Sequence, residues 1–573
     1  ILGRADLPPL PTDLPDQWSY GVEPLNGPPG EADRRDPARL LVPARMMMIA
    51  LGVGLGLIVF AWARSLWGDQ GGLLTLALFA LSPTMLAHAR LVTTDLAAAL
   101  GFVATAWCAW RWTREPTLPR AAFVGVAFGV ALLAKFSTLA IPLLLAPAIG
   151  LALWRGRQDL SARRVPGGIA VVAVVALAVL WAGYGFRWSA GPEGAAELRW
   201  DAIESLDDGS AGVRAALALR DARVVPEAYA FGLAHASVGA GRRLAFLDGE
   251  ISNVGWWSYF PEAFVLKTPF AMLALIVAAA VIAVRRWRGR VQEIACLAVP
   301  VVGYLALSST AALNLGHRHL APIYAFLFVG CGALAGVARG RRGRAAIGIA
   351  LAGLATATLW AAPGYLSFFN LAGGGPRGGW HHLVDSNIDW GQDLGRLAEV
   401  VESERIDRVH LAYFGTADPE TYRIPYRKFV MVHDFRPSIA ATEPGPGEVL
   451  AISVTLLQGM YLDPDREFAV AAGREGRVDR ADVDAWLALR DRETRAGRDA
   501  PALADWLVAE GSLDPTVRDR LVAGLRTSWI ARIRDRLEPF ARAGESILLY
   551  RMPTGDAYRT LRDPERRSTP AKG

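Results

Sequence analysis

Cysteine and charge are both scarce in this sequence of 573 residues. It has three cysteines, Cys108, Cys296 and Cys331, each inside an apolar segment and none close to another. This placement argues against a disulfide framework and against a cysteine zinc site. Charged residues make up 20% of the chain and hydrophobic residues 52%. A soluble globular protein of this size would usually be more polar.

The net charge of +6 is basic, but the arginines gather between apolar segments and are not interleaved with aromatic residues. This pattern argues against a nucleic-acid partner and favours a membrane protein. Segments of spanning length recur along the first two thirds of the chain. We place them at 45–66, 72–88, 94–112, 121–136, 138–154, 167–186, 265–284, 292–311, 320–338 and 344–364.

The arginine-rich stretches between these segments predict the orientation. Residues 154–164, 284–290 and 338–344 are dense in arginine, and 111–120 is a milder case. All four fall on one side if the spans alternate, and the positive-inside rule makes that side cytoplasmic. We therefore expect a multi-pass protein of the inner or plasma membrane, surrounded by membrane lipids, with its site facing away from the cytoplasm.

Three regions follow from this topology. Residues 1–44 are predicted to be the remnant of an extracytoplasmic loop, and 45–365 a transmembrane domain of about ten spans with an outer loop at 187–264. Residues 366–573 are predicted to be an extracytoplasmic mixed α/β domain. Its strand patterns lie at 408–415, 428–433, 448–457 and 545–552, and its helical patterns at 391–404, 481–496 and 515–541.

The start of the chain is unusual for such a topology. It opens with Ile1 and a segment rich in proline, glycine and charge instead of a signal peptide. An even number of spans would place this end outside the cytoplasm. We therefore expect that a first span precedes Ile1 and that the chain is N-terminally truncated.

Ionisable residues gather on the predicted outer side, where their cost near a membrane span suggests function. The stretch "LAHARLVTTDLAAAL" places His88, Arg90 and Asp95 within eight positions. The alternative for Asp95 is a place in a capped first helical turn together with an Arg90–Asp95 ion pair. Lys135, with apolar residues on both sides, must either extend to the membrane surface or meet an anion.

Two further outer loops carry candidates. "GHRHLAP" places His317, Arg318 and His319 together, and these three donors suit a phosphate. Interfacial anchoring and a metal site are the alternatives there. The aromatic residues of "SNVGWWSYFPEAFVLKTP" indicate an interfacial belt. Further candidates for substrate binding near the start of the next span are Tyr259, Glu262 and Lys267.

The stretch "DSNIDWGQD" at 385–393 opens a predicted helix. Asp385, Asp389 and Trp390 resemble a carbohydrate-contact surface. Alternatively, Asp389 or Asp393 caps the helix. The spacing differs from a calcium-binding EF-hand loop, because the glycine and the distal glutamate are missing.

Five motifs together resemble the bacterial membrane glycosyltransferases related to protein O-mannosyltransferases and to the lipid A aminoarabinose transferase. The resemblance runs from about residue 38 to 430. The motifs are "LSPTMLAHARLVTTDLAAA", "LLAKFSTLAIPLLL", "YFPEAFVLKTP", "NLGHRHLAPIYAF" and "GGPRGGWHHLVDSNIDWGQDLGRL".

This resemblance implies a class C glycosyltransferase fold and a sugar donor carried on a polyprenyl phosphate. It implies transfer, with inversion, to a hydroxyl of a protein, lipid or glycan acceptor on the outer side of the membrane, as in protein glycosylation or cell-envelope assembly. Asp95 matches the family's second acidic position and would support acid–base chemistry. Lys135, Arg318 and His319 would stabilise the departing phosphate. No redox cofactor is implied, while some relatives use a divalent cation.

One motif of the family is missing. Its principal catalytic acid, commonly in an Asp-Glu pair, lies in the first outer loop, but no such pair precedes "LPPL" at 7–10, and Asp6 and Asp13 are poor substitutes. We expect this acid upstream of Ile1, so that a chain beginning here would be inactive. Two other functions stay open: a transporter or lipid flippase, and a non-catalytic membrane anchor that displays a glycan-binding domain.

Overall fold

The computed structural model describes residues 25, 38–155, 165–190, 198–206, 209–240, 243–286, 289–431, 441–462 and 527–562. The chain forms two compact units. The helical unit comprises Arg39–Ala245 and Ser252–Gly378, and the C-terminal unit comprises Ile1–Ala38, Phe246–Ile251 and Gly379–Gly573. Asp6, Asp13 and the "LPPL" stretch lie outside the described residues.

The helical unit follows the predicted apolar segments closely, which confirms a helical membrane architecture. Its helices are α1 (Ala38–Ala80), α2 (Pro83–His88), α3 (Asp95–Arg114), α4 (Leu118–Ala134), α5 (Ile141–Arg155), α6 (Val165–Gly183), α7 (Trp200–Leu206), α8 (Ala211–Asp221), α9 (Glu227–Ala240), α10 (Tyr259–Lys267), α11 (Phe270–Arg286), α12 (Val291–Ser309), α13 (Ala321–Cys331), α14 (Arg341–Ala361) and α15 (Gly375–Gly378).

One predicted segment is divided in the structure. Helix α1 breaks at Gly68, whose φ of 78° is left-handed, between the predicted segments 45–66 and 72–88. It then continues to Ala80, so the segment predicted at 72–88 is divided between α1 and α2. Proline at the first position of α2 starts that short helix, with the Ser82 side chain accepting the Met85 N–H.

Among the described residues, five helices are long and apolar enough to cross a membrane: Arg39–Ala80, Val165–Gly183, Val291–Ser309, His317–Arg339 and Arg341–Ala361. A sixth candidate is the pair Tyr259–Lys267 and Phe270–Arg285, which bends by 114° at its break. Other predicted segments form helices that are shorter or more polar, such as α3 and α4. The expectation of about ten spans stays a prediction.

Helices α4 and α6 approach each other closely through glycine. A Cβ atom on Gly125 would lie 2.8 Å from Val175 Cβ, and one on Gly129 would lie 2.6 Å from Val179 Cβ and 2.8 Å from the Ala176 carbonyl oxygen. Since real Cβ atoms do not approach so closely, only glycine fits at these two positions. Small residues at four-residue spacing are typical of tight helix packing in membranes.

We expect Gly129→Ala to destabilise the protein by about 1–3 kcal/mol, because the new methyl group overpacks the contact with α6. Thermal unfolding in detergent micelles measures the effect as a lower midpoint. Gly150→Ala is the matched control, since nothing lies within 4 Å of a Cβ there and alanine favours helix. Equal midpoints for Gly129→Ala and the wild type would show that α4 and α6 do not pack this tightly.

The C-terminal unit is built on a five-stranded sheet, which confirms the predicted mixed α/β fold. Strands β3 (Val409–Tyr413), β4 (Tyr426–Met431), β5 (Val449–Ser453), β6 (Ala541–Ala543) and β7 (Ile547–Arg551) have the order β4-β3-β5-β7-β6. Strand β3 is parallel to both β4 and β5, while β7 is antiparallel to β5 and β6.

Helices cover this sheet with apolar side chains. Helix α16 (Leu394–Ser403) buries Leu394, Leu397 and Val401 against β3, β5 and β7. Helix α17 (Val454–Leu457) is a single turn after β5. Helix α18 (Thr527–Arg536) places Trp529 edge-on against Phe429 of β4. The predicted helix at 481–496 and most of the pattern at 515–541 lie outside the described residues.

Two smaller elements complete the described chain. Strands β1 (Ala245–Leu247) and β2 (Glu250–Ser252) form a two-stranded sheet. At their turn, the Asp248 N–H donates to the His382 carbonyl at 3.1 Å and the Asp248 carboxylate lies 2.6 Å from His382 Nδ1. These bonds attach the short segment 246–251 to the C-terminal unit. Helix α19 (Gly555–Arg562) ends the described residues.

Candidate active site

Three breaks in helical structure place three predicted site residues together. Asp95 is the first residue of α3. Lys135 adopts an extended backbone between α4 and a 3₁₀ turn, and the Thr138 hydroxyl fixes this turn by bonding to the carbonyl oxygens of Ala131 and Lys135 at 2.8 and 2.7 Å. Arg318 lies in the 3₁₀ turn that precedes α13. Backbone groups at a helix end have no partner within the helix, and the chain changes direction there. Polar groups from three distant segments therefore meet at this point.

Asp95 is the centre of this group. Its carboxylate forms a short ion pair with Lys135 Nζ and lies 3.8 Å from Arg318 Nε. Lys135 Nζ also lies 3.5 Å from His319 Nδ1. Asp95 is 3% exposed, while Lys135 and Arg318 are 22% and 20% exposed. These four residues, called the Asp95 cluster below, therefore present two cationic side chains for one buried carboxylate.

Buried polar atoms without hydrogen-bond partners occur in the Asp95 cluster and in residues near it. Among the described residues, His88 Nδ1, Thr93 Oγ1 and His319 Nε2 are buried and make no hydrogen bond. A buried polar atom left unpaired costs about 1–3 kcal/mol. Since most buried polar groups in proteins are satisfied, several orphaned atoms beside a charged group indicate a place built for a ligand.

Lys267, His317 and His88 form a second polar layer beside the Asp95 cluster. Lys267 is 4% exposed, donates to the Leu366 carbonyl at 2.7 Å and lies 4.3 Å from the centre of the Phe369 ring. Asp95, Arg318, Lys267 and Lys135 all act electrostatically on His88, and Lys267 acts on His317. The structure thus places His88 near the charges of the Asp95 cluster, and His317 near Lys267 and His88.

A hydrogen-bonded chain in this layer was not predicted. His317 Nε2 lies 2.6 Å from the Tyr324 hydroxyl, which lies 2.5 Å from Thr268 Oγ1. His317 and Tyr324 are seven residues apart, a spacing that places two side chains on the same face of a helix. This spacing could have predicted their contact. Nothing in the sequence predicted the contact between Thr268 and Tyr324, which are 56 positions apart.

Arg90 does not join the Asp95 cluster. It is exposed, donates to the Pro363 carbonyl at 2.6 Å and lies over the Tyr365 ring at 5.5 Å. The alternative of an Arg90–Asp95 ion pair is therefore wrong, because Lys135 and Arg318 occupy the carboxylate. The N-cap residue of α3 is Thr94, and its side chain makes no capping bond.

Tyr259 and Glu262 both lie on α10. Tyr259 is 1% exposed and packs edge-on against Phe260, whose ring centre lies 6.3 Å from that of His319. Glu262 is half-buried in the first turn. Phe260 therefore lies between Tyr259 and His319 of the Asp95 cluster. Substrate contact by Tyr259 or Glu262 stays a prediction.

In the C-terminal unit, the carboxylates of "DSNIDWGQD" have separate partners. Asp385 accepts the Tyr461 hydroxyl at 2.5 Å. Asp389 is fully buried and accepts the Gly391 N–H at 3.0 Å and the Thr455 hydroxyl at 3.3 Å. Trp390 is half-buried.

Asp393, the last carboxylate of the motif, is the N-cap residue of α16 but makes no side-chain capping bond. It accepts the Ser546 hydroxyl and N–H at 2.8 and 3.1 Å, which fixes the turn between β6 and β7. The helix-capping alternative is therefore wrong for Asp393, whose side chain has a structural role between distant segments.

The buried position of Asp389 predicts a pH dependence of stability. Burial raises the pKa of Asp389 from 3.8 to about 8, and the nearby charge of Asp393 acts in the same direction. Between these values the folded state keeps a proton that the unfolded state has lost. Stability therefore falls as pH rises from about 4 to about 8, by at most about 1.4 kcal/mol per pH unit for one proton.

Asparagine is neutral at every pH. We therefore expect Asp389→Asn to remove the fall in stability between about pH 4 and about pH 8 that Asp389 causes. Thermal unfolding of the full chain across that pH range measures it. Asp556→Asn is the control, because Asp556 is 98% exposed. If Asp389→Asn and Asp556→Asn keep the same pH slope as the wild type, Asp389 does not hold its proton in the folded state.

No three histidine, cysteine, aspartate or glutamate side chains of the described residues come together in a way that could hold a metal ion. The residues of the Asp95 cluster offer one carboxylate already paired with two cations, which is a poor donor set for a divalent cation. We therefore derive no chemical step through a metal.

One comparison with known proteins matches part of the helical unit. Residues 39–181, which contain His88, Asp95 and Lys135, match the family model described as dolichyl-phosphate-mannose-protein mannosyltransferase. No curated protein sequence gives a significant match.

Two solved structures show a remote likeness, both of ArnT from Cupriavidus metallidurans. The structure bound to undecaprenyl phosphate has a TM-score of 0.40 at 14% identity, and the apo structure has 0.25 at 13%. Each match covers 75% of this chain and 80% of the other. The resemblance predicted from the sequence motifs is thus confirmed by the family model over residues 39–181, where the chain is similar to the dolichyl-phosphate-mannose-protein mannosyltransferases.

Proposed function

We propose that this chain is an integral-membrane glycosyltransferase that moves a sugar from a polyprenyl-phosphate donor to an acceptor hydroxyl. The Asp95 cluster carries this proposal, because it provides two cations for one carboxylate in a buried, partly unsatisfied setting. A phosphate can accept hydrogen bonds from both of these cations. The family match over residues 39–181 supports the same reaction class.

The chemistry assigns roles to the four residues. When the bond between the anomeric carbon and the donor phosphate breaks, the sugar becomes oxocarbenium-like and the phosphate gains negative charge. Lys135 and Arg318 stabilise that charge, and His319 contributes a further ring nitrogen. A carboxylate takes the proton of the acceptor hydroxyl as it attacks from the opposite face, which gives inversion. Asp95 supports this acid–base step and holds the two cations in place.

The position of the arginines supports an outward-facing site. In the span His317–Arg339, the cluster residue Arg318 lies near one end and Arg339 at the other. Helix α3 has Asp95 at its start and Arg111 and Arg114 in its last turn. Since arginine-rich ends favour the cytoplasm, the Asp95 cluster belongs at the outer face of the inner or plasma membrane.

The same orientation supports the proposed domain division. Residues 45–365 form the transmembrane transferase domain with its outer loop at 187–264, and residues 1–44 and 366–573 are extracytoplasmic. The spans α6 and α14 are apolar, and only 17% of the residues in the most apolar stretch of each are buried within the protein. Their remaining surface suits membrane lipids and the isoprenoid tail of the donor.

A transfer assay tests the proposal. The full-length protein, with any residues that precede Ile1, is placed in lipid nanodiscs. It receives a radiolabelled polyprenyl-phosphate sugar and a panel of protein, lipid and glycan acceptors. We expect label in an acceptor. Transfer that survives neutralisation of both Asp95 and Arg318 would contradict the assigned site. In reconstituted vesicles, lipid or solute flux without any product would identify a transporter or flippase instead.

A further inference from the structure

We propose that the C-terminal unit contains a binding site for a neutral carbohydrate, formed by Phe414, Tyr461 and Asp385. Only the identification of this carbohydrate as the acceptor rests on the proposed function. The binding itself depends on the geometry of the C-terminal unit alone.

The three residues meet beyond the carboxyl ends of parallel strands. Strands β3 and β5 are parallel neighbours, and the strands that follow them in the chain, β4 and β6, lie at opposite edges of the sheet. In open sheets with parallel strands, such a reversal leaves a crevice beyond the strand ends where ligands bind. Phe414 directly follows β3, and its N–H donates to Ser453 Oγ at the end of β5 at 3.0 Å.

Asp385 is held at the same edge. Its N–H donates to the hydroxyl of Thr455, two residues after β5, at 3.1 Å. Its carboxylate accepts the Tyr461 hydroxyl at 2.5 Å through Oδ2 and the Ser386 N–H at 2.5 Å through Oδ1. The carboxylate is therefore oriented by the protein and stays half-buried at the strand ends.

An aromatic pair lies beside this carboxylate. The rings of Phe414 and Tyr461 are nearly parallel, with centres 5.5 Å apart and an angle of 9° between their planes. Both residues are half-buried. Aromatic faces carry a negative quadrupole, so they attract the weakly positive C–H groups on one face of a sugar ring. A neighbouring carboxylate accepts hydrogen bonds from the hydroxyl groups at the ring edge.

The backbone adds to this arrangement. Asp385 and Tyr461 have φ angles of 56° and 62°, which non-glycine residues seldom adopt. Their side chains bond to each other, so both residues that contribute polar groups to the site are held in a strained conformation. Such strain persists where the surrounding structure fixes it and is concentrated at functional sites.

The polar groups of the site suit a neutral, hydroxyl-rich ligand. The Asp385 carboxylate accepts hydrogen bonds, so it matches the O–H groups of a sugar better than the acceptor oxygens of a phosphate. The Thr455 hydroxyl joins Asp385 to the buried carboxyl of Asp389. The Asp95 cluster has the opposite character, with Lys135 and Arg318 suited to an anion. We therefore assign the anionic donor to the helical unit and a neutral, hydroxyl-rich acceptor to the C-terminal unit.

Saturation-transfer NMR on the full chain in nanodiscs tests this site with three probes: methyl α-mannoside, maltotriose and cellotriose. We expect saturation of the ring C–H protons of at least one probe. Phe414→Ala and Asp385→Asn should weaken its affinity at least tenfold, and Tyr461→Phe, which keeps the ring, should weaken it less. Phe540→Ala is the matched control, because Phe540 is an aromatic residue of the same unit that is 40% exposed.

The outcomes separate this site from the proposed transferase. If none of the probes binds the wild type, or if the three site variants bind like Phe540→Ala, the carbohydrate site is absent. Should Phe414→Ala unfold, Tyr461→Phe and Asp385→Asn still decide the question. Binding of a polyprenyl phosphate, measured on the same samples, reports on the Asp95 cluster independently.

Discussion

Lys135→Ala should lower donor-dependent sugar transfer by about 100- to 1,000-fold, the usual effect of removing one preorganised group that stabilises developing negative charge. Lys135 is the cation closest to Asp95, and its position between α4 and a 3₁₀ turn is fixed by the Thr138 hydroxyl. Without it, Arg318 remains the single cationic side chain beside Asp95 among the described residues. Initial rates at saturating and limiting donor measure the loss.

Two variants make this result specific. Lys135→Arg keeps the charge and should recover part of the activity, although the guanidinium group differs in shape from the ammonium. Arg114→Ala is the control, because Arg114 is 53% exposed and lies at the opposite end of α3. If Lys135→Ala transfers sugar as fast as Arg114→Ala, the proposed role of Lys135 is wrong.

Asp95→Asn should lower transfer by about 100- to 10,000-fold, the range for a lost acid–base group, but it should not weaken donor binding. Removing the carboxylate leaves Lys135 and Arg318 without their shared partner. Breaking a buried ion pair from one side costs about 3–5 kcal/mol. We therefore expect a lower thermal midpoint in the empty protein and a larger stabilisation by polyprenyl phosphate than in the wild type.

The expected changes in phosphate affinity distinguish Asp95 from Lys135. Lys135→Ala loses both transfer and phosphate affinity, whereas Asp95→Asn loses transfer and keeps or gains affinity. Asp69→Asn is the matched control, since Asp69 pairs with Arg64 on the surface and is 75% exposed. A drop in phosphate affinity for Asp95→Asn equal to that for Lys135→Ala would mean that Asp95 does not compete with the ligand for these cations.

The sequence predicted much of the fold because its patterns are local. Apolar stretches such as 167–186 predicted α6, and alternating runs predicted β3, β5 and β7. The break of α1 at Gly68 falls between the predicted segments 45–66 and 72–88. The second break, at Ser82 inside the segment 72–88, was not predicted, because the apolar pattern continues across it.

The site was predicted in its residue types but not in its pairs. Polar side chains near span ends suggested Asp95, Lys135 and Arg318 because their burial is costly. Sequence proximity, however, suggested Arg90 as the partner of Asp95. The structure pairs Asp95 with Lys135, 40 positions away, and directs Arg90 to Pro363, 273 positions away. Such partners follow from the packing of helices, which local patterns do not specify.

The C-terminal motif shows the same limit. Its acidic residues suggested a carbohydrate surface or a helix cap, and the sequence alone could not choose. Asp393 bonds to Ser546, 153 positions away, and Asp385 to Tyr461, 76 positions away. The first contact is structural, while the second places a carboxylate beside an aromatic pair.

The most direct measurement compares the binding of a polyprenyl phosphate with that of the uncharged polyprenol of the same length. Both are titrated into the wild type and into the Lys135→Ala, Arg318→Ala double variant in nanodiscs. If the Asp95 cluster holds the donor phosphate, the wild type binds the phosphate at least tenfold more tightly than the alcohol, and the double variant loses this preference. Equal affinities for the two lipids in the wild type, or a preference that persists in the double variant, would contradict the account.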